Sequence, residues 1–519
     1  MDNCTRVSLW VAPTPLRSFT SVLGSWRWHV RNSGGKKLER LASLRSAAAI
    51  AAVTRDAILL CALFVFLWPT SARAEDPDAL RKLVASQAAV IEALQQRVSA
   101  LEAHEQGEER AAPSQPTATP PPSHPAPSSE VAVTGHAAAP ITIDWSEGSP
   151  NFELANGSSF HVRGRLYLDA STTSGSRFSS RDISGTELSS ARLGVDGRYG
   201  EHWNYKVELE FADGGTTLKE NYVGYAGKLG SNDLKIYAGN KTGDRSIDGA
   251  SYDDYVPFFQ RSMLATSVGP EKGIFGVGVL AQLIGRDWHV GLDLVGDDAN
   301  GNVGTADDTL TYVGRATWTP GLDRLTRVHI GGWGYYEDIS KGNSTIARSI
   351  YPGEHFDDDL RITMVPVANA RSTTGEGGEV GVMRGSFWTF GEYGRRSISA
   401  LSGDRTWTSK VAEAGFFLTG EKPNFSSRTG VWTQVAPRRS FFDGGPGAIE
   451  IAARYETADL GRSELAGSGS DMTFAVDWFL TRNVRAIADL VHWKVTNPIA
   501  PYVGRDTGNT INLRLDTSF

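Results

Sequence analysis

The last nine residues constrain this chain more than any other stretch. Ile511, Leu513, Leu515, Thr517 and Phe519 fall on one face of an extended strand, and Asn512, Arg514, Asp516 and Ser518 fall on the other. An amphipathic strand that runs to the final residue and ends on an aromatic is an aggregation hazard in water. The terminal strand of a soluble sandwich would have to hide that face against a second sheet. A membrane barrel needs the pattern as it stands, because one face meets lipid and the other a wet lumen.

The same texture fills the chain from about Ser159. Val162, Gly164, Leu166 and Leu168 oppose Arg163, Arg165, Tyr167 and Asp169; Trp203, Tyr205, Val207, Leu209 and Phe211 oppose Asn204, Lys206, Glu208 and Glu210. A helix would scatter those apolar residues around its surface, whereas a strand gathers them on one side. Further segments follow near 191–199, 218–226, 233–241, 273–284, 287–296, 309–318, 325–336, 376–384, 387–398, 408–418, 447–458, 470–480 and 484–495. With the closing strand they make about sixteen, an even number as single-chain bacterial barrels require. Connections alternate in length. Short ones fall at 200–202, 285–286, 320–324, 385–386 and 480–483, and long ones at 242–272, 297–308, 337–375 and 419–446. Short periplasmic turns at one end and long extracellular loops at the other are the outer-membrane arrangement. No uncharged apolar run approaches the roughly 18 residues of a spanning helix, so the reading is an all-β, sixteen-stranded antiparallel transmembrane barrel. The formal net charge of −7 gives no reason to expect nucleic acid.

The N-terminal third is different. Ile58–Trp68 is an apolar core of signal-peptide length preceded by Arg55, and Ala72-Arg73-Ala74 is a small-x-small cleavage site. Residues 1–74 therefore read as a signal peptide with an extended start; Val53 opens an ordinary n-region, which places the true start near it. Both cysteines, Cys4 and Cys61, are removed by that cleavage. Within 75–107, Leu80, Val84, Gln87, Ile91, Leu94, Val98 and Leu101 alternate four and three apart, a heptad seam of a short periplasmic coiled-coil helix. Residues 108–143 hold the proline-rich run Ala111–Pro127, an extended linker. The barrel then occupies 144–519.

Specific segments match a family. Phe160-His-Val-Arg-Gly-Arg-Leu-Tyr-Leu-Asp169, preceded by Asp144-Trp145, resembles the barrel entry of the phosphate-selective porin O/P family. So do Ala191–Tyr199 with Trp203–Phe211, Leu218–Tyr225, Phe259–Ser262, Phe390–Tyr393, Phe417–Glu421 and the chain from Ala448 onward. The resemblance implies a trimeric outer-membrane porin with an inward-folded constriction loop, whose best-known members pass phosphate or polyphosphate. It also makes Phe519 the recognition signal for the barrel-insertion machinery.

A pore selects by charge and width. Arg163, Arg165, Arg192, Arg198, Lys206, Lys235, Arg315, Arg327, Arg454 and Arg514 all carry inward parity and are the candidate pore-lining cations. Arginine suits oxyanions because its planar fork donates in pairs, although inward arginines also brace a wall by pairing with Asp169, Asp196, Glu208 or Glu210. The constriction-loop candidates in 242–272 are Arg245, Tyr252, Asp253, Asp254, Tyr255, Phe259 and Arg261. That segment is aromatic and acidic rather than lysine-clustered, and Gln260 stands where the family commonly has Glu. The expected activity is passive diffusion of small anions or small polar solutes. No catalytic motif or cofactor is expected beyond Ca2+ at acidic loops such as 297–308 and 357–359, which could bridge lipopolysaccharide. Two rivals remain: a barrel acting mainly as an envelope tether through its coiled coil, reaching peptidoglycan, and an outer-membrane lipase built on a Ser–His pair.

Overall fold

The computed structural model describes residues 141–519, apart from 146–147, 272–274, 301–308 and 462–463. The leader, the heptad helix and the proline-rich run lie outside the described residues. A short hairpin comes first, β1 (Ile141–Asp144) and β2 (Asn151–Leu154), so three residues read as linker belong to paired structure. Sixteen long strands follow: β3 (Ser159–Ser174), β4 (Ser184–Tyr199), β5 (Trp203–Glu210), β6 (Thr217–Leu229), β7 (Asn232–Thr242), β8 (Phe275–Ile284), β9 (Trp288–Val295), β10 (Leu310–Trp318), β11 (Thr326–Asp338), β12 (Ala370–Arg384), β13 (Phe387–Ala400), β14 (Arg405–Phe417), β15 (Ala448–Asp459), β16 (Ser468–Phe479), β17 (Val484–Asn497) and β18 (Gly504–Ser518). Each pairs antiparallel with the next. β18 closes on β3, with Ser518 opposite Arg165 and Asn509 opposite Ser174. Closure leaves no open edge among the sixteen, which is what a sheet in lipid requires.

The alternation does what the sequence implied. Along β18, Asn512, Arg514 and Asp516 are buried while Ile511 and Leu515 are 41% and 48% exposed on the outer face. Exposed aromatics Tyr199, Trp203, Trp318, Phe387 and Phe416 mark one rim, and Phe211, Tyr312 and Tyr336 lie toward the other. Such girdles sit at the two membrane–water interfaces.

At the seam, Phe519 N–H and C=O both bond Gly164, at 2.9 and 2.8 Å, and its ring lies where any side chain at 164 would be. β2 then takes over the exposed edge of β3 below the C-terminus, pairing Asn151 with His161. Deleting Phe519 removes two backbone bonds and the ring that fills this notch. Barrel assembly is expected to fall severalfold, with normal conductance in the molecules that do assemble. Heat-modifiable mobility on gels measures the first and planar bilayers the second; normal assembled amounts would refute the signal role.

The long connections correct one expectation. Loops 243–274, 296–309 and 339–369 lie at the same end, opposite the short turns. The connection 418–447 does not join them: it links β14 to β15 and so falls at the turn end with the chain termini. Length alone suggested otherwise, but strand parity fixes the side. This periplasmic strap turns back into the lumen.

The lumen is therefore not uniformly wet. Ile346, Ile350, Leu360, Ile362, Met364 and Val367 of loop 339–369 pack against inward Ile398, Trp407, Val491 and Trp493. Toward the other end, Trp432 and Phe425 of the strap pack with Ile247, Val256 and Phe258 of loop 243–274 and with inward Trp388 and Phe390. Two apolar cores fill the half of the barrel walled by β11–β17. Loop 339–369 also buries Glu354, whose exposure is 0%. Burial pushes its carboxyl up to about 7, against the N–H bond it accepts from Asp357. A raised folded value favours the protonated form. Its stabilisation is full below the unfolded value near 4.5 and is lost as pH rises to about 7, a difference on the order of 3 kcal/mol. Protection factors in 350–362, corrected for the intrinsic rise of amide exchange with pH, should therefore be lower at pH 8 than at pH 5, and Glu354→Gln should flatten that difference.

Candidate functional site

Loop 243–274 crosses the lumen and forms the waist of the pore. It carries two short helices, α1 (Ile247–Ala250) and α2 (Met263–Ser267), capped by the hydroxyls of Ser246 and Ser262. Ser246 holds φ at 50°, a conformation that costs a non-glycine residue energy and persists only where its surroundings over-determine it. The surroundings here are wall carboxylates that accept backbone N–H groups of the loop. Glu392 takes Ile247 N–H at 3.0 Å, Asp489 takes Phe259 N–H at 2.9 Å, Glu456 takes Met263 N–H at 2.6 Å and Glu337 takes Glu271 N–H at 2.8 Å. Arginines grip the loop's carbonyls from the same wall: Arg514 on Phe259, Arg454 on Gln260 and Arg485 on Val256, each at 2.9 Å.

Arg315 ties the loop to the strap. Its guanidinium bonds Glu379 twice at 2.7 Å, reaches Asp244 of the loop at 3.2 Å and donates to the carbonyls of Thr429 and Gly430 of the strap. Trp432 N–H of the strap in turn donates to Ser251 Oγ of the loop at 2.9 Å.

With one half filled, the open space lies along β3–β6. An inner chamber of about 250 Å³ is lined by Arg163, Arg165, Arg192, Lys206 and Arg482 against two carboxylates, Glu208 and Asp254. An outer chamber of about 320 Å³ has Arg165, Arg192, Lys219, Arg261 and Arg514 against Glu210 and Asp253. Among the lining side chains cations outnumber carboxylates five to two in each chamber, inside a chain of net charge −7, and Lys206 and Arg514 are also paired behind the lining with Glu220 and Asp169. Arg165 and Arg192 belong to both chambers and so mark the neck between them.

Asp253 reaches from the loop into that neck. It receives two bonds from Arg165, at 2.5 and 3.1 Å, and lies 4.0 Å from both Arg192 and Arg261. Burial works against its ionised form, but Arg165, Arg192 and Arg261 outweigh it and hold the carboxyl well below the usual range. Asp254 beside it is pushed up by burial and by the charge of Asp253, against the pull of Arg165. Burial, then Asp254, pushes the phenol of Tyr255 up to about 12.

The ten cations chosen by parity all point inward, but they divide by surroundings. Arg163, Arg165, Arg192, Lys206 and Arg514 line the chambers. Arg315 and Arg454 do not touch the open path: both are fully buried beneath the inward loops and paired, Arg454 with Asp248 at 3.7 Å and Glu456 at 3.3 Å. Arg198 and Arg327 stand at the turn-side rim, exposed and paired with Glu153 and Asp287. Lys235 is half-buried on β7. Of the loop candidates, Tyr252, Asp253, Asp254, Tyr255, Phe259 and Arg261 border the chambers, whereas Arg245 is buried among loop residues.

Two chamber cations escaped the sequence reading. Lys219 did so because the β5–β6 register shifts between Val207 and Leu209, which breaks strict alternation. Arg482 sits in a turn, where parity has no meaning. The acidic pins Glu392, Glu456 and Asp489 had inward parity and could have been found by it.

Two clusters bear on other chemistry. Asp169, Glu187 and His355 present ligand atoms within 4.8 Å of one another. Arg514 already holds Asp169 at 2.7 and 2.6 Å and supplies the positive charge there. In the acidic loops, Asp358 pairs with Arg361 at 2.6 Å, and Asp298 accepts from Asn300; Asp307 and Asp308 lie outside the described residues.

Against known proteins, the profile described as Phosphate-selective porin O and P matches residues 160–519. An uncharacterized protein of Caulobacter vibrioides is 26% identical over 451 residues, covering 82% of this chain and 87% of its own length. Among solved structures, an anion-selective porin from Comamonas acidovorans aligns over 70% of this chain and 100% of its own, with 13% identity and a TM-score of 0.44. The outer membrane channel DcaP of Acinetobacter baumannii aligns over 71% and 99%, with 12% identity and a TM-score of 0.41.

Proposed function

Because the chain belongs to the phosphate-selective porin O and P family, we propose that this outer-membrane channel conducts small anions, phosphate-like oxyanions and carboxylates among them, by passive diffusion. One observation carries the anion reading: both chambers expose five cations to two carboxylates, and their shared neck is built from guanidiniums. Arg forks at the neck donate in pairs to an oxyanion, while a cation there meets repulsion from several sides. The acidic loop tempers this. Asp253 occupies the neck as a resident carboxylate, so the pore favours anions without holding them tightly. A homotrimer, as the family resemblance implies, is the expected assembly.

The test is the reversal potential of purified protein in planar bilayers under a salt gradient. A preference for chloride, phosphate or acetate over potassium is expected, and a cation preference overturns the reading.

The lipase alternative finds its Ser–His contact but not the chemistry. His161 Nε2 lies 2.9 Å from Ser149 Oγ, and Nδ1 lies 3.3 Å from Asp196. The Ser149 hydroxyl, however, donates to Val162 O at 2.6 Å, and the residue is 3% exposed. That geometry fastens the segment before β2 to the wall rather than freeing a nucleophile. Nothing among the described residues favours the tether reading.

A further inference from the structure

The strap has a second half that the pore does not use. After Val435 the chain leaves the lumen, and segment 438–447 folds as a compact flap at the turn-side rim. Gly444 N–H bonds Phe441 O at 3.0 Å, Gly445 N–H bonds Ser440 O at 2.9 Å and Gly447 N–H bonds Arg439 O at 3.2 Å. The flap is fastened to the barrel by Phe441 N–H on Leu480 O at 2.7 Å and by Trp478 Nε1–H on Pro446 O at 2.9 Å. Trp478 shares its face of β16 with exposed Met472, Phe474 and Val476, so it belongs to the lipid side. The Phe441 ring packs edge-on against it, 5.1 Å between centroids.

The exposed side of the flap carries one aromatic ring and two guanidiniums against one carboxylate, Asp443. Phe442 is 70% exposed, and Arg438 and Arg439 are exposed beside it. Each arginine donates to a backbone carbonyl, Arg438 to Gly420 and Arg439 to Asp443, and both remain exposed. Trp478 stands at the strand-end level of the rim aromatics Phe387 and Phe416, the level at which the periplasmic leaflet's headgroups begin. An exposed aromatic and two guanidiniums at that depth match a lipid whose acyl edge takes the ring and whose phosphate takes the forks.

We propose that segment 438–447 is a docking flap for anionic phospholipid of the periplasmic leaflet, with Phe442 entering the interface and Arg438 and Arg439 binding the headgroup phosphate. It is independent of what the pore conducts. The flap continues the lipid belt of the barrel, so its occupant is lipid rather than a second copy of the chain.

The test uses the full protein in mixed micelles holding equal amounts of phosphatidylglycerol and phosphatidylcholine, with retained lipids counted by native mass spectrometry. Wild type is expected to retain phosphatidylglycerol severalfold over phosphatidylcholine, and Arg438→Ser/Arg439→Ser to lose that preference. Phe442→Ser, which gives up one edge contact with the Phe441 ring, should lower total retention while the barrel stays heat-modifiable. Equal retention by wild type and the double variant overturns the proposal. So does efficient cross-linking between protomers through a cysteine placed at Asp443, which would put a second copy where the lipid should be.

Discussion

Asp253→Asn should raise the anion-to-cation permeability ratio about tenfold at low salt and lengthen the dwell of multivalent oxyanions in the neck. Asp253 now satisfies the Arg165 fork and lies 4.0 Å from two further guanidiniums. The amide keeps the shape and one acceptor oxygen but removes the charge, so the outer chamber goes from two lining carboxylates to one against the same five cations. One unit charge at such distances is worth about 4 kcal/mol at an effective dielectric near 20. Pore water and salt cut this to about a third, and about 1.4 kcal/mol is a factor of ten. Raising ionic strength should shrink the gain. Asp358→Asn is the control, because that carboxylate is 98% exposed on an outer loop and pairs with Arg361 alone. A permeability ratio unchanged in Asp253→Asn and equal to that of the control would remove Asp253 from the neck.

The barrel was legible because lipid on one side and water on the other impose a period of two on every spanning segment. Each of the sixteen segments read from alternation corresponds to a strand, and the closing strand pairs with the segment around Leu166 as its amphipathic pattern required. The interior was less legible. Inward parity says where a side chain points, not what it meets there. Arg163 and Arg315 share that parity, yet one borders water and the other is sealed beneath the strap. The strap itself was invisible as such. The segment 419–446 read only as a long connection, and inward Trp388 and Trp407 look anomalous until two connections are seen to pack on them. Loop 243–274 was recognisable by resemblance, but three of the four wall carboxylates that pin it lie more than a hundred residues downstream, on strands read only for their alternation.

Arg315→Met should turn a quiet narrow channel into a noisier and wider one. The guanidinium bonds the barrel wall, the constriction loop and the strap at once. Removing it leaves Glu379 beside the His329 imidazole, at 3.1 Å, and Asp244 beside the His289 imidazole, at 2.7 Å, with no guanidinium for either buried carboxylate. Breaking a buried ion pair by taking one partner costs about 3–5 kcal/mol. The cost falls on the weakest element. The closed ladder of sixteen strands has its own backbone bonds, whereas the strap near Gly430 is held by this contact together with Arg428 on Gly285 O and Trp432 N–H on Ser251. Gly430, at φ 64° with His329 and Thr317 closing on it, has no room to find another seat. The strap and the α1 end of the loop should therefore move while the barrel remains folded. Single-channel conductance should rise severalfold with added open-state noise, and trypsin should cut near Arg428 faster than in wild type. Arg315→Met/Glu379→Gln removes both charges and should recover much of the quiet state, since a buried pair replaced by neutral groups of similar volume is often tolerated. Wild-type conductance and noise in Arg315→Met, with heat-modifiable barrels, would show that the apolar packing of Phe425 and Trp432 holds the strap without this arginine.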